Sequence, residues 1–129
     1  MVLSEVLARQ IVNSACRYVH TRYDWNNFNC VHFVREVYAN VGISLPKLKK
    51  ELLPPDKFHL SAEEFDAMPI GHSVFFKRIL NPLPRSWTHI AIIISSTEFI
   101  HCSRRLGMVA ITPRVEFLET YAFVPEPPQ

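Results

Sequence analysis

Asn29-Cys30-Val31-His32-Phe33-Val34-Arg35-Glu36-Val37-Tyr38-Ala39-Asn40-Val41-Gly42 is the stretch on which the reading of this 129-residue chain turns. Phe33, Val34, Val37, Tyr38 and Val41 recur at the spacing of one helical face, Asn29 is a good N-cap, and Gly42 is placed to end the helix. Cys30 is then the first helical residue, where unsatisfied N–H groups and the positive end of the helix dipole stabilise a thiolate. The inward face begins only at Phe33, which leaves the sulfur at the surface end of the helix. Taken alone this is a weak signal, because a structural free cysteine has the same appearance.

Upstream, apolar residues at Leu7, Ile11, Ala15 and Val19, with Val12 and Cys16 beside them, predict an amphipathic helix from Ser4 to His20 in which Cys16 is a small buried core residue. Glu5, Arg9, Gln10, Asn13 and Arg17 interrupt the stretch from Val2 to Val19, so it reads as neither a membrane span nor a secretory signal. The chain is therefore expected to be cytoplasmic as synthesised, with export by a signal-independent secretion system left open. Thr21 to Phe28 is rich in aromatic and Asx residues and reads as an irregular loop.

Downstream, Pro46, Pro54, Pro55 and Pro69 mark Leu45 to Pro69 as a connecting segment. It carries one short helix from Ser61 to Ala67, opened by a Ser61–Glu64 capping box. The second half changes character. Val74 to Phe76, Ile90 to Ile94, Glu98 to Cys102, Met108 to Ile111 and Tyr121 to Val124 are short apolar or β-branched runs separated by turn residues, the punctuation of strands. Helices first and strands later predict an α+β domain spanning 1–129, with Pro125 to Gln129 a frayed tail.

Composition bounds the function. The 48% hydrophobic and 20% charged content is that of a folding chain, and a net charge of +2 without a basic stripe does not argue for nucleic acid. The three cysteines cannot all pair, and no CxxC spacing suggests a zinc ribbon or redox motif.

Two histidines supply what a thiol nucleophile needs. His89 stands at the mouth of the apolar strand Trp87-Thr88-His89-Ile90-Ala91-Ile92-Ile93-Ile94, sharing a face with Ala91 and Ile93. That face is expected to pack on a helix and to meet Cys30. His101, in Phe99-Ile100-His101-Cys102-Ser103 on the next strand, is placed to hold His89 in one tautomer. Each histidine alone reads as well as a satisfied structural residue. It is the triplet Cys30, His89, His101 that points to catalysis.

Several blocks then resemble a known family. Asn29-Cys30-Val31-His32-Phe33-Val34, Val41-Gly42-Ile43, Met68-Pro69-Ile70-Gly71-His72-Ser73-Val74-Phe75-Phe76, His89-Ile90-Ala91-Ile92-Ile93 and Phe99-Ile100-His101 are similar, in order and spacing, to the blocks of NlpC/p60-type peptidases. The resemblance spans Ile11 to Ile111. It implies a papain-like fold, with N-terminal helices on a C-terminal antiparallel sheet. It also implies Cys30 as nucleophile, His89 as general base and His101 as the orienting residue. The activity implied is cleavage of an amide bond in a peptidoglycan stem peptide. Tyr23, with Trp25, is similar to the aromatic residue the family uses to line its substrate groove; a packed loop aromatic is the alternative. Asn29 stands for the usual Asp, His32 for a small glycine, His72 for Asp and Thr88 for Gly, departures that bear on specificity more than on the Cys30–His89 pair.

Asn29-Cys30-Val31-His32-Phe33-Val34 also resembles a block of the lecithin:retinol acyltransferase family, in which the histidine strand precedes the cysteine helix. Here the order is reversed, which favours the peptidase branch. A lipid or small-molecule acyltransferase or thioesterase, and an inactive binding module, are the rivals. A zinc site built from Cys30, His32, His89, His101 and Cys102 is disfavoured, because Cys30 and His32 diverge at a helix start and Cys102 faces away from His101. No metal or cofactor is needed for the chemistry. Arg104-Arg105 reads as a solvated surface pair, with contact to a carboxylate-bearing substrate the alternative. The layout is similar to that of interbacterial amidase effectors, which would bring an inhibitory immunity protein as partner.

Overall fold

A computed structural model describes residues 3–44, 62–80 and 88–124. The connecting segment from 45 to 61 with its Ser61 cap, Trp87 and the tail from 125 to 129 lie outside the described residues. Helix α1 runs Glu5–Cys16, capped by the Ser4 hydroxyl, which accepts from the Leu7 N–H at 3.1 Å. It stops short of His20 because His20, at φ 72°, turns the chain so that its N–H reaches the Val109 carbonyl at 2.9 Å. Cys16 is exposed, not buried. The helix buries Ala8, Ile11, Ser14 and Ala15, and at about 100° per residue Cys16 falls well off that stripe. Ser14 enters the core in its place, donating to the Val37 carbonyl at 3.0 Å.

Helix α2 runs Cys30–Ala39 and buries Cys30, Phe33, Val34, Val37 and Tyr38. Gly42, at φ 85°, takes the left-handed conformation that stops it. A one-turn helix, α3, covers Ala62–Ala67. The expected strands all form: β1 Ser73–Arg78, β2 His89–Ser95, β3 Glu98–Ser103, β4 Met108–Pro113 and β5 Tyr121–Val124. They make one antiparallel sheet in the order β4-β3-β2-β1-β5. Helix α4, Arg114–Thr120, precedes β5 and has no counterpart in the sequence reading.

The sheet is covered on both faces. On one, Phe75, Ile90, Ile92, Ile100, Cys102 and Val109 pack against α1 and α2. On the other, Val74, Phe76, Ala91, Ile93 and Phe99 pack with Phe65 of α3 and Phe117 of α4. Burial on both sides explains why β2 reads as a continuous apolar run instead of an alternation. Gly71, at φ 86°, leads into β1 where α1 crosses closely; a Cβ there would stand 3.0 Å from the Ala8 Cα. Among the described residues no helix is long and apolar enough to cross a membrane.

Candidate active site

The start of α2 is fixed by a reciprocal cap. The Asn29 Oδ1 accepts from the Val31 and His32 N–H groups at 3.0 and 3.1 Å, while His32 Nδ1 accepts from the Asn29 N–H at 3.3 Å. Two of the departures from the family pattern thus have one local explanation: Asn29 and His32 cap each other and hold Cys30 at the first helical position. The cap also engages two of the amides that a helix start would offer to an oxyanion.

Cys30 and His89 open into the same cleft of about 620 Å³, together with Tyr23, Trp25, Thr88 and Tyr121. The structure thus brings Tyr23 to the cleft. It reaches Cys30 and His89 there by a different route from the one expected. Ile90 and Ile92, not His89, lie on the face that packs against α2, and His89 with Ala91 and Ile93 lies on the α3/α4 face. One helical layer was expected and two exist; His89, the first residue of β2, stands where that strand reaches the cleft that Cys30 also lines. Thr88 pins that point, its N–H donating to the Phe76 carbonyl at 2.8 Å and its hydroxyl accepting from the Arg78 N–H at 3.2 Å.

His101 lies within hydrogen-bonding distance of His89. His89 Nε2 lies 2.8 Å from His101 Nδ1, and His101 Nε2 lies 2.9 Å from Thr112 Oγ1. Two tautomer sets satisfy the chain, one running from Thr112 O–H toward His89 and one running the other way; in the second, His89 Nε2–H donates to His101 Nδ1 and His101 Nε2–H donates to Thr112. That second set is the one that leaves the Nδ1 lone pair of His89 unprotonated, as a base requires. Aromatic rings fix the plane. Tyr121 stacks on His89 at 4.8 Å and 18°, and Phe117 meets His101 edge-on at 4.9 Å and 85°. Tyr121, Phe117 and Thr112 were not singled out by the sequence. They come from α4 and from the strands beside it, and no local motif marks them.

Burial, then the neighbouring His101, lowers His89 well below its ordinary value, and burial lowers His101 to about 4. Both imidazoles are neutral at pH 7. The unfolded chain therefore binds more protons between pH 4 and 6.5, so the stability contributed is full above about 6.5 and is lost on acidification toward 4. His101 alone is expected to reduce the unfolding free energy by about 2 kcal/mol between pH 7 and pH 5, with His89 adding in the same direction. Urea melts at the two pH values check this; a midpoint that does not move would show that the pair is not neutral and buried.

The cleft holds a second cysteine. Cys102 faces the α1/α2 layer, donates its S–H to the Phe28 carbonyl at 3.4 Å, and is pushed up to about 12 by burial and then by Cys30. It remains a thiol at neutral pH and is a poor nucleophile. Cys102 and His101 face opposite sides of the sheet, as the alternation of β3 requires. Arg104 and Arg105, read as a solvated pair, also line the cleft.

A family model described as "NlpC/P60 family" matches residues 17–122. Comparison with curated proteins gives no sequence match. Among solved structures, an NLP/P60-family protein similar to lipoprotein, from Staphylococcus aureus, is 19% identical with a TM-score of 0.63, over 98% of this chain and 44% of that one. The chain thus spans less than half of that protein's length. The NlpC/p60 domain of the peptidoglycan hydrolase SagA is 21% identical with a TM-score of 0.64, over 93% of this chain and 98% of that domain. NlpC2 from Trichomonas vaginalis is 15% identical with a TM-score of 0.73, over 97% of this chain and 48% of that one. The fold is the α+β papain-like arrangement of these domains, and with the family model covering most of its length, the chain belongs to the NlpC/P60 family.

Proposed function

We propose that the protein is a cysteine hydrolase that cleaves an amide bond in peptidoglycan stem peptides, with Cys30 as nucleophile, His89 as general base and His101 as its positioning residue. The observation that carries this is a cysteine at a helix start sharing a cleft with a neutral histidine whose Nε2 is held from behind. Membership of the NlpC/P60 family and the likeness to the SagA domain support the substrate class. In the reaction, Cys30 gives its proton to His89 Nδ1 as the sulfur attacks the carbonyl carbon. Collapse of the tetrahedral adduct breaks the C–N bond, and His89 passes the proton to the leaving amine. A water then gives a proton to His89, attacks the thioester and releases the acid, and the proton returns to sulfur. Throughout, the His89 Nε2–H stays on His101, which spreads the charge of the transient imidazolium.

Digestion of purified sacculi followed by mass spectrometry tests the reading. New free amines and carboxylates are expected in the stem peptides with the intact protein and not with Cys30→Ala. Lipid esters run in parallel separate the acyltransferase reading, which would be supported if they were consumed instead. Because Cys16 is exposed, iodoacetamide labelling belongs in a Cys16→Ser background. There, modification of Cys102 with Cys30 spared at neutral pH would sink the assignment of the nucleophile.

A further inference from the structure

Arg35, Arg78, Arg104 and Arg105 all line the cleft, and among the described residues no Asp or Glu does. They arrive from three separate places: Arg35 from α2, Arg78 from the end of β1, and Arg104 with Arg105 from the turn between β3 and β4. Among the described residues the one ion pair is Arg9–Glu5 on α1, so none of the four is neutralised by a carboxylate there. A solvated cationic face is normally interspersed with acidic groups; one cleft collecting four like charges is not that arrangement.

Three of the four charges fall into two groups. The Arg104 guanidinium lies over the Trp25 ring at 5.2 Å and acts on the Tyr23 hydroxyl. Arg78 and Arg105 act on the Tyr121 hydroxyl, and Arg78 is opposite Tyr121 in the β1–β5 register. Cys30, Tyr23 and Tyr121 line the same cleft, so the sulfur opens onto both groups. Guanidinium forks match carboxylates two oxygens at a time, and stacking on an indole pre-sets the fork.

We propose that the cleft selects an acidic peptide by two separate carboxylates, one held at Arg104 beside Tyr23 and Trp25, the other between Arg78 and Arg105 beside Tyr121. The peptide nature of the substrate rests on the hydrolase reading above; the double anion recognition rests on the cleft. Two loci suit a peptide with a free carboxylate at each of two residues better than a single phosphate headgroup, which would occupy one.

The test uses four synthetic stem peptides: both carboxylates free, either one converted to the carboxamide, or both. Binding is measured by calorimetry on the full chain carrying Cys30→Ala, and turnover on the intact protein. Each amidation is expected to weaken binding about tenfold. Arg104→Gln is expected to remove the penalty for one amidation and Arg105→Gln that for the other, while Arg9→Gln, outside the cleft, changes neither. Equal binding of all four peptides overturns the proposal, as does unaltered discrimination in both cleft variants whose circular dichroism matches the parent. Discrimination without turnover by the intact protein upholds the acidic cleft and removes the hydrolase reading. Turnover without discrimination does the reverse. If vesicles of phosphatidylglycerol, and not the peptides, bind in an Arg104- and Arg105-dependent way, the cleft serves a lipid surface and the peptide proposal falls.

Discussion

Cys30→Ala is expected to lower turnover of stem peptides by at least about 10⁴-fold while leaving the fold and the peptide affinity in place. The reason is specific to the cleft. Its other sulfur, Cys102, is protonated at neutral pH and committed to the Phe28 carbonyl, so it does not take over the attack. His89→Gln is expected to lose a comparable factor, and the double variant no more than either alone, because thiol and imidazole act as one unit. His101→Ala is expected to be milder, since it removes the group that fixes the tautomer and leaves the base itself. Single-turnover kinetics with a chromogenic amide measure all four. Additive losses in the double variant would show that the two residues work independently, and the proposed proton transfer between them would be abandoned.

The second large effect lies away from the sulfur. Phe117 is almost fully buried and touches five rings at once: His89, His101, Phe76, Phe99 and Tyr121. Phe117→Ala is expected to reduce the unfolding free energy by about 3–5 kcal/mol, the cost of removing a core aromatic and leaving its cavity. Phe117→Leu keeps much of the volume and is expected to cost clearly less. The cavity would also loosen the two imidazoles, so the surviving Phe117→Ala protein is expected to lose kcat more than KM. Urea denaturation gives the first quantity and steady-state kinetics the second. A loss below about 1 kcal/mol would mean that α4 is not the support of the histidine pair that its contacts imply.

What the sequence reveals follows how local each determinant is. The α2 start was legible because its cap is written within four residues, Asn29 to His32. The strands were legible because apolar runs between turn residues survive any packing. Cys16 was misjudged because several positions on α1 are small or apolar and only the sheet decides which stripe is buried; Ser14, a polar residue, entered the core through its bond to Val37. The face of β2 was misassigned because a run apolar on both sides carries no parity. Helix α4 was invisible for a related reason. It has seven residues, follows Pro113, lacks a side-chain cap, and leaves Val115 exposed, so Phe117 with the half-buried Leu118 beside it is all that anchors it among its apolar residues. The cleft arginines come from three distant segments, and no window of sequence contains their convergence.

The stacking of Tyr121 on His89 has a consequence for the chain as it is made. Cys30 and its cap leave the ribosome early, whereas Thr112, Phe117 and Tyr121, which hold the histidine pair, follow late. A nascent chain halted at the β3–β4 turn would already carry Cys30, His89 and His101, but Thr112 would not yet hold the outer nitrogen of His101, nor Tyr121 the ring plane of His89. Under the proposed function, activity is therefore tied to the arrival of β5, the strand that carries Tyr121.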